Sequence, residues 1–230
     1  MKRILLAGAT LLALTAAQPT LAADAPVYRK ASPPAAAVFS WQGLYIGLQA
    51  GYGWGNTDQF DDGGPGPSFK WDGGVVGGTL GYNWQAGALV LGLEGDLSWS
   101  GIKGSITNPP GWGCGVSPTC HNEVKWFGTA RGRVGYAMDR ALIFATAGVA
   151  WGRLYADFTA CAPVQFCIEE TRSGWTAGGG LEWAFAPNWS AKVEYLYVDL
   201  GSFLVNTTDS LGMTGKLNVV RGGVNWRFAM

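Results

Sequence analysis

Histidine is all but missing: His121 is the single one in 230 residues. A Ser-His-carboxylate nucleophile or a histidine-rich metal centre would have only that residue to rest on, and it falls in a long polar segment. Charge is scarce and balanced, with 16 basic and 16 acidic side chains making up 14% of the chain. A nucleic-acid partner calls for a basic excess, so none is expected. Beyond the first 22 residues no apolar run reaches the ~20 residues of a membrane-spanning helix, the best being Ala141 to Trp151. The glycine-rich runs Gly51 to Trp54 and Gly73 to Gly78 lack a phosphate-loop lysine and a following helix, and read as small residues within strands. These absences leave no catalytic constellation and no implied cofactor.

The start of the chain reads as an export signal. Lys2 and Arg3 open it, Ile4 to Ala17 are apolar, and Thr20-Leu21-Ala22 gives a small-x-small cleavage site after Ala22. Residues 23–40 are rich in Ala and Pro without periodicity, which predicts an extended periplasmic leader ahead of a domain over 41–230. Four cysteines stand as two C-x5-C pairs, Cys114/Cys120 and Cys161/Cys167. In an exported protein an even count suggests disulfides, and local pairing is favoured over zinc held with His121.

What the chain has in quantity is alternation. In Leu89 to Trp99 the odd positions (Leu89, Leu91, Leu93, Gly95, Leu97, Trp99) are apolar or glycine, while the even ones include Glu94, Asp96 and Ser98. A period of two is a β-strand with one face in an apolar medium and one in a polar medium. Seven further segments alternate in the same way: 44–54, 73–84, 124–136, 141–152, 174–185, 189–199 and 216–228. Each is about the 9–11 residues that a tilted strand needs to cross a bilayer.

The connections also alternate. Gln85 to Gly87, Ala137 to Arg140 and Ala186-Pro187 are tight turns, whereas Asn56 to Asp72, Ser100 to Glu123, Arg153 to Ser173 and Leu200 to Gly215 are long and polar. Short turns at one end and long loops at the other are the pattern of outer-membrane barrels, with both termini in the periplasm. Aromatic residues gather at strand ends (Trp54, Trp84, Trp99, Tyr136, Trp151, Trp189), where membrane interfaces place their girdles. The expected fold is therefore all-β, an eight-stranded antiparallel transmembrane barrel. The competing architecture, a secreted Trp-rich β-sandwich that binds carbohydrate, gives no reason for such regular alternation of loop length.

With the apolar faces toward lipid, the other faces converge on a lumen carrying Glu94, Asp96, Glu182 and Glu194 against Lys125, Arg131, Arg133, Lys192, Arg221 and Arg227. Buried charges must be paired, and eight strands leave an interior that side chains just fill. A charge plug is the simpler expectation, and a narrow ion path lined by the same residues is the alternative. Loop aromatics such as Phe60, Trp112, Phe166 and Phe203 are a weak signal for a surface partner, whose nature stays open.

Three stretches carry a resemblance. They are A-D-A-P-V-Y-R-K-A-S-P-P-A-A-A-V-F-S-W-Q-G-L-Y-I-G-L-Q-A-G-Y-G-W (Ala23 to Trp54), T-A-R-G-R-V-G-Y-A (Thr129 to Ala137) and V-V-R-G-G-V-N-W-R-F (Val219 to Phe228). In these the chain resembles the alphaproteobacterial outer-membrane immunogenic proteins of the RopB type, small OmpA-like barrels. The resemblance implies location in the outer membrane and a structural, envelope-stabilising, surface-exposed and often antigenic role without catalysis. Members are sometimes described as porin-like, so a small channel is the alternative function. It further implies contact with outer-membrane lipid and passage through the barrel-assembly machinery; a monomer is expected. Such barrels usually end on an aromatic residue that resembles the assembly signal; here Phe228 stands in that role, followed by Ala229 and Met230.

Overall fold

The computed structural model describes residues 39–61, 64–107, 119–157, 167–206 and 211–228. The signal segment and the leader up to residue 38 lie outside the described residues. Eight strands follow one another: β1 (Gly43–Asp61), β2 (Gly64–Ala86), β3 (Leu89–Thr107), β4 (Thr119–Met138), β5 (Ala141–Asp157), β6 (Cys167–Ala184), β7 (Trp189–Asn206) and β8 (Leu211–Arg227). Each pairs antiparallel with the next, and β8 pairs with β1 from Tyr45↔Arg227 to Phe60↔Gly212, which closes the sheet. Closure leaves no strand edge with unpaired backbone groups, the condition a sheet must meet in hydrocarbon.

At one end the strands are joined by tight turns. Gly87 (φ 62°) and Asp139 (φ 54°) supply the left-handed residues that two-residue hairpins require. Above those turns, side chains alternate as the sequence predicts. Leu48, Leu93, Leu181 and Val193 are 60–76% exposed on the outside, while Gln49, Glu94, Glu182 and Glu194 are 1–4% exposed inside. From Leu89 to Trp99, ten steps of ~3.3 Å tilted by about 40° advance about 25 Å, the height of an outer-membrane apolar band. Rings mark both limits of the band: Tyr52, Trp54, Trp99 and Trp175 at the far end, and Trp84, Tyr136, Trp183 and Trp189 at the turn end, all 42–64% exposed.

The strands are longer than the alternating segments, running 17 to 23 residues. Much of what the sequence presents as long polar loops is strand that continues past the outer ring of aromatics. There the hydrophobic sense reverses. Ile102, Val124, Leu154, Met213 and Leu217 point inward at 0–1% exposure, and Lys103, Arg153 and Lys216 point outward. In this upper storey the barrel has an apolar core of its own.

Candidate functional site

The lumen is filled in three layers. In the middle layer, strands β3, β4, β6, β7 and β8 each turn charged residues inward, with Tyr45 of β1 reaching in beside them. Arg131 is the hub. Its Nη2 donates to Glu94 Oε1 at 2.5 Å and to Asp96 Oδ2 at 3.0 Å, and its Nη1 reaches Glu194 at 2.7 Å. Arg221 grips Asp96 with both terminal nitrogens, at 2.9 and 3.0 Å, and donates through Nε to Glu194 at 2.8 Å. Lys192 sits 3.0 Å from both oxygens of Glu94. Arg133 holds Glu182 at 2.9 Å and the Tyr45 hydroxyl at 3.0 Å, and Tyr45 in turn donates to Glu94 at 2.7 Å.

Neutral groups take up the remaining lone pairs. Thr129 donates to Asp96, and Ser190 and Asn225 donate to Glu182 at 2.6 and 2.9 Å. Four carboxylates thus meet four cations, all with side chains 0–2% exposed. Charge balance and shared hydrogen bonds are what make such burial tolerable, because removing one partner strands the others.

The second layer closes the turn end. Trp41, immediately before β1, is fully buried among Val90, Leu142, Phe144 and Ala184. Its backbone N–H donates to Gln85 Oε1 at 2.6 Å and its indole N–H to Asp139 O at 3.0 Å, the carbonyl that the left-handed turn residue presents. Phe39 stacks edge-on against it at 5.1 Å. Phe39 and Ser40, placed by sequence in the leader, therefore make contacts with the barrel. The third layer is the apolar core above the charges, built on Trp71, Ile102, Phe127, Leu154, Leu196 and Met213.

Two residues expected in the charge network lie outside it. Lys125 is 39% exposed, paired with Glu169 at 3.0 Å on the outer wall. The cause is a β-bulge: Val124 and Trp126 of β4 face the consecutive residues Leu154 and Arg153 of β5, so Lys125 is the extra residue. That residue flips Lys125 out and Val124, expected outward, in. On that wall the hydrogen bond from Lys125, with Arg153 2.7 Å away, holds the Glu169 carboxyl below the usual carboxylate range. Arg227 is buried but has no carboxylate partner among the described residues. It donates to Ser40 O at 2.9 Å and lies over the rings of Phe39 and Trp41, at 4.9 and 4.6 Å, belonging to the turn-end plug.

Conversely, the structural roles of Tyr45, Thr129, Ser190, Asn225 and Trp41 had no sequence signal beyond strand phase or, for Trp41, proximity to β1. Cys120 is disulfide-bonded, and Cys167 opens β6, while Cys114 and Cys161 lie outside the described residues. Among the described residues no cluster of His, Cys, Asp and Glu has the geometry of a metal site. Of the loop aromatics, Phe60 pairs with Pro65 and Gly212 near the end of β1, and Phe203 lies in β7; Trp112 and Phe166 lie outside the described residues. Phe228 packs against Trp226 at 4.3 Å, and its N–H donates to Leu44 O at 2.9 Å.

The model of the family described as "Outer membrane protein beta-barrel domain" matches residues 8–228. The 31 kDa outer-membrane immunogenic protein of Brucella melitensis is 37% identical over 251 residues, covering 99% of this chain and all of the relative. The 22 kDa outer membrane protein of Rhizobium leguminosarum bv. viciae is 34% identical over 71% of this chain and 66% of its own length. Among solved structures, Neisserial surface protein A covers 81% of this chain and 97% of its own at 14% identity, with a TM-score of 0.47. A closed eight-stranded sheet with an apolar outer band, together with a family model that matches residues 8–228 and a relative matched end to end, assigns the chain to the outer-membrane β-barrel family of the immunogenic proteins, located in the outer membrane.

Proposed function

We propose that the protein is a closed, non-catalytic barrel that stabilises the outer membrane and presents its loop end at the cell surface. The observation that carries this reading is the four-against-four charge layer, whose side chains are 0–2% exposed and bonded to one another across the full width of the lumen. An ion entering that layer would have to displace a carboxylate or guanidinium from its buried partners, leaving a buried charge uncompensated. The Trp41 plug on one side and the apolar core on the other add two further barriers.

The same arrangement supports mechanical stiffness, since charged side chains from β3, β4, β6, β7 and β8 tie opposite walls together. The exposed apolar band would meet the lipid, with Phe228 near the chain end serving the assembly machinery as its signal. No catalytic role is assigned to the buried acids, because each is spent on a cation.

A small channel is the second reading. It is favoured by Gln49, whose amide atoms have no hydrogen-bond partner among the described residues, and by Ser98, whose hydroxyl has none there. Buried polar atoms of this kind are where water would reach the inner wall. The structural role is tested by deleting the gene in the source organism. Sensitivity to bile salts and to large antibiotics should rise and be restored by the wild-type protein. An unchanged barrier would overturn the structural role.

A further inference from the structure

From the rows of residues on the outer wall along β7, β8 and β1, we infer a binding site for a phosphorylated sugar headgroup of an outer-leaflet glycolipid. The inference rests on the outer-membrane location and not on whether the lumen conducts. A cavity of about 370 Å³ opens on this wall at the outer aromatic ring, lined by Trp54, Asn56, Asp58, Tyr197, Lys216 and Asn218. The strand registers show how it is built. Asp199, Lys216 and Asn56 form the uppermost row, and Tyr197, Asn218 and Trp54 the next. Below come Tyr195, Val220 and Tyr52, then Val193, Gly222 and Ala50.

Each row suits one part of an amphiphile. Trp54 and Tyr197 flank Asn218 with ring faces against which the C–H face of a sugar can lie. Asn218 is held by the Tyr195 hydroxyl at 2.6 Å, and Tyr197 is held by Trp175, with ring centroids 5.3 Å apart. Lys216 is exposed and makes no ion pair among the described residues; with Asp199 opposite it in the ladder and Asp58 on the cavity wall, it is the one cation among the lining residues and the group that would meet a phosphate at the top of the cavity. Asn56 and Asp58 stand beside it to bond hydroxyls. The small pair Ala50 and Gly222 then leaves a shallow apolar depression below the aromatic rows. A Cβ at Gly222 would meet nothing nearer than a carbonyl at 3.8 Å. An acyl chain descending from the headgroup would lie there, bordered by Val193 and Leu48. A soluble sugar would use only the upper rows, so the lower ones favour a lipid.

Native mass spectrometry of the detergent-solubilised protein tests this. The probe is a bis-phosphorylated, acylated glucosamine disaccharide. It is compared with its dephosphorylated form, with phosphatidylglycerol and with soluble glucosamine 1-phosphate. The wild type should retain the phosphorylated glycolipid preferentially, and Lys216→Gln and Trp54→Ala should each weaken retention by about tenfold. Lys103→Gln and Trp151→Ala, on other strands, should retain it as the wild type does. Lys216→Gln is a surface exchange that leaves the folded barrel intact, so it decides the matter should Trp54→Ala fail to fold. Equal retention of phosphatidylglycerol, equal binding of the soluble sugar phosphate, or unchanged retention by Lys216→Gln would overturn the proposal.

Discussion

Arg131 and Glu94 face each other across the β3–β4 ladder and bond at 2.5 Å, while the same guanidinium reaches 2.7 Å to Glu194 on a strand that is no neighbour of either. This cross-lumen link makes Arg131 the residue whose loss should be felt most. Replacing it with Ala leaves Glu94, Asp96 and Glu194 short of a partner in a buried layer, and the expected cost is about 3–5 kcal/mol. Lys125→Ala, which removes the exposed pair with Glu169 and the ammonium's contact with the Tyr155 ring, should cost about 1 kcal/mol or less. Urea unfolding in detergent, read by the heat-modifiable band on gels, compares the two. Equal effects would contradict a charge network centred on Arg131.

Leu93 tests the outward face. It is 60% exposed near the middle of the apolar band, so Leu93→Arg should cost about 2–4 kcal/mol or block insertion into bilayers. Full tolerance, measured as folded yield into lipid vesicles, would refute the assignment of that face to lipid.

Trp41→Ala tests the plug. Removing a fully buried indole should cost about 3–5 kcal/mol. The barrel should still be silent in a bilayer, because the charged layer lies beyond the plug. An open pore in this variant would locate the barrier at Trp41 and not at the charges.

Glycines separate the two faces at one carbon's resolution. A Cβ at Gly92 would fall against Asn83 Oδ1 and within 2.9 Å of Arg133 Cγ, whereas one at Gly95 would meet nothing nearer than 3.8 Å. Gly92→Ala should therefore lower stability by about 1–3 kcal/mol through crowding, and Gly95→Ala should leave the unfolding midpoint close to that of the wild type.

The membrane storey was legible in the sequence because period two and a constant sense coincide there: Leu89, Leu91 and Leu93 outward, Glu94 and Asp96 inward. Above the outer aromatic ring the period persists but the sense inverts. Ile102 and Leu154 turn in while Lys103 and Arg153 turn out, so continuing strand looked like polar loop. Periodicity puts Lys125 on the inner face, and the structure puts it outside, because a bulge adds one residue and flips the phase, which no periodicity count reveals. Trp41 stands alone before the first strand, and a single aromatic carries no periodic signal. Its burial follows from the width of the barrel mouth and from the carbonyl of Asp139, both properties of the closed fold. The acids and bases of the lumen could be listed from strand phase, but their partners depend on the stagger that brings β4 level with β7 and β8.

Conductance of the refolded protein in a planar bilayer, with protein-free detergent as control, tests the closed lumen most directly. A closed lumen gives silence from protein shown to be folded and inserted, for the wild type and for Trp41→Ala alike. Stable, charge-selective single-channel steps that change when Arg131 or Glu94 is neutralised would contradict it and make the charged layer the lining of an ion path.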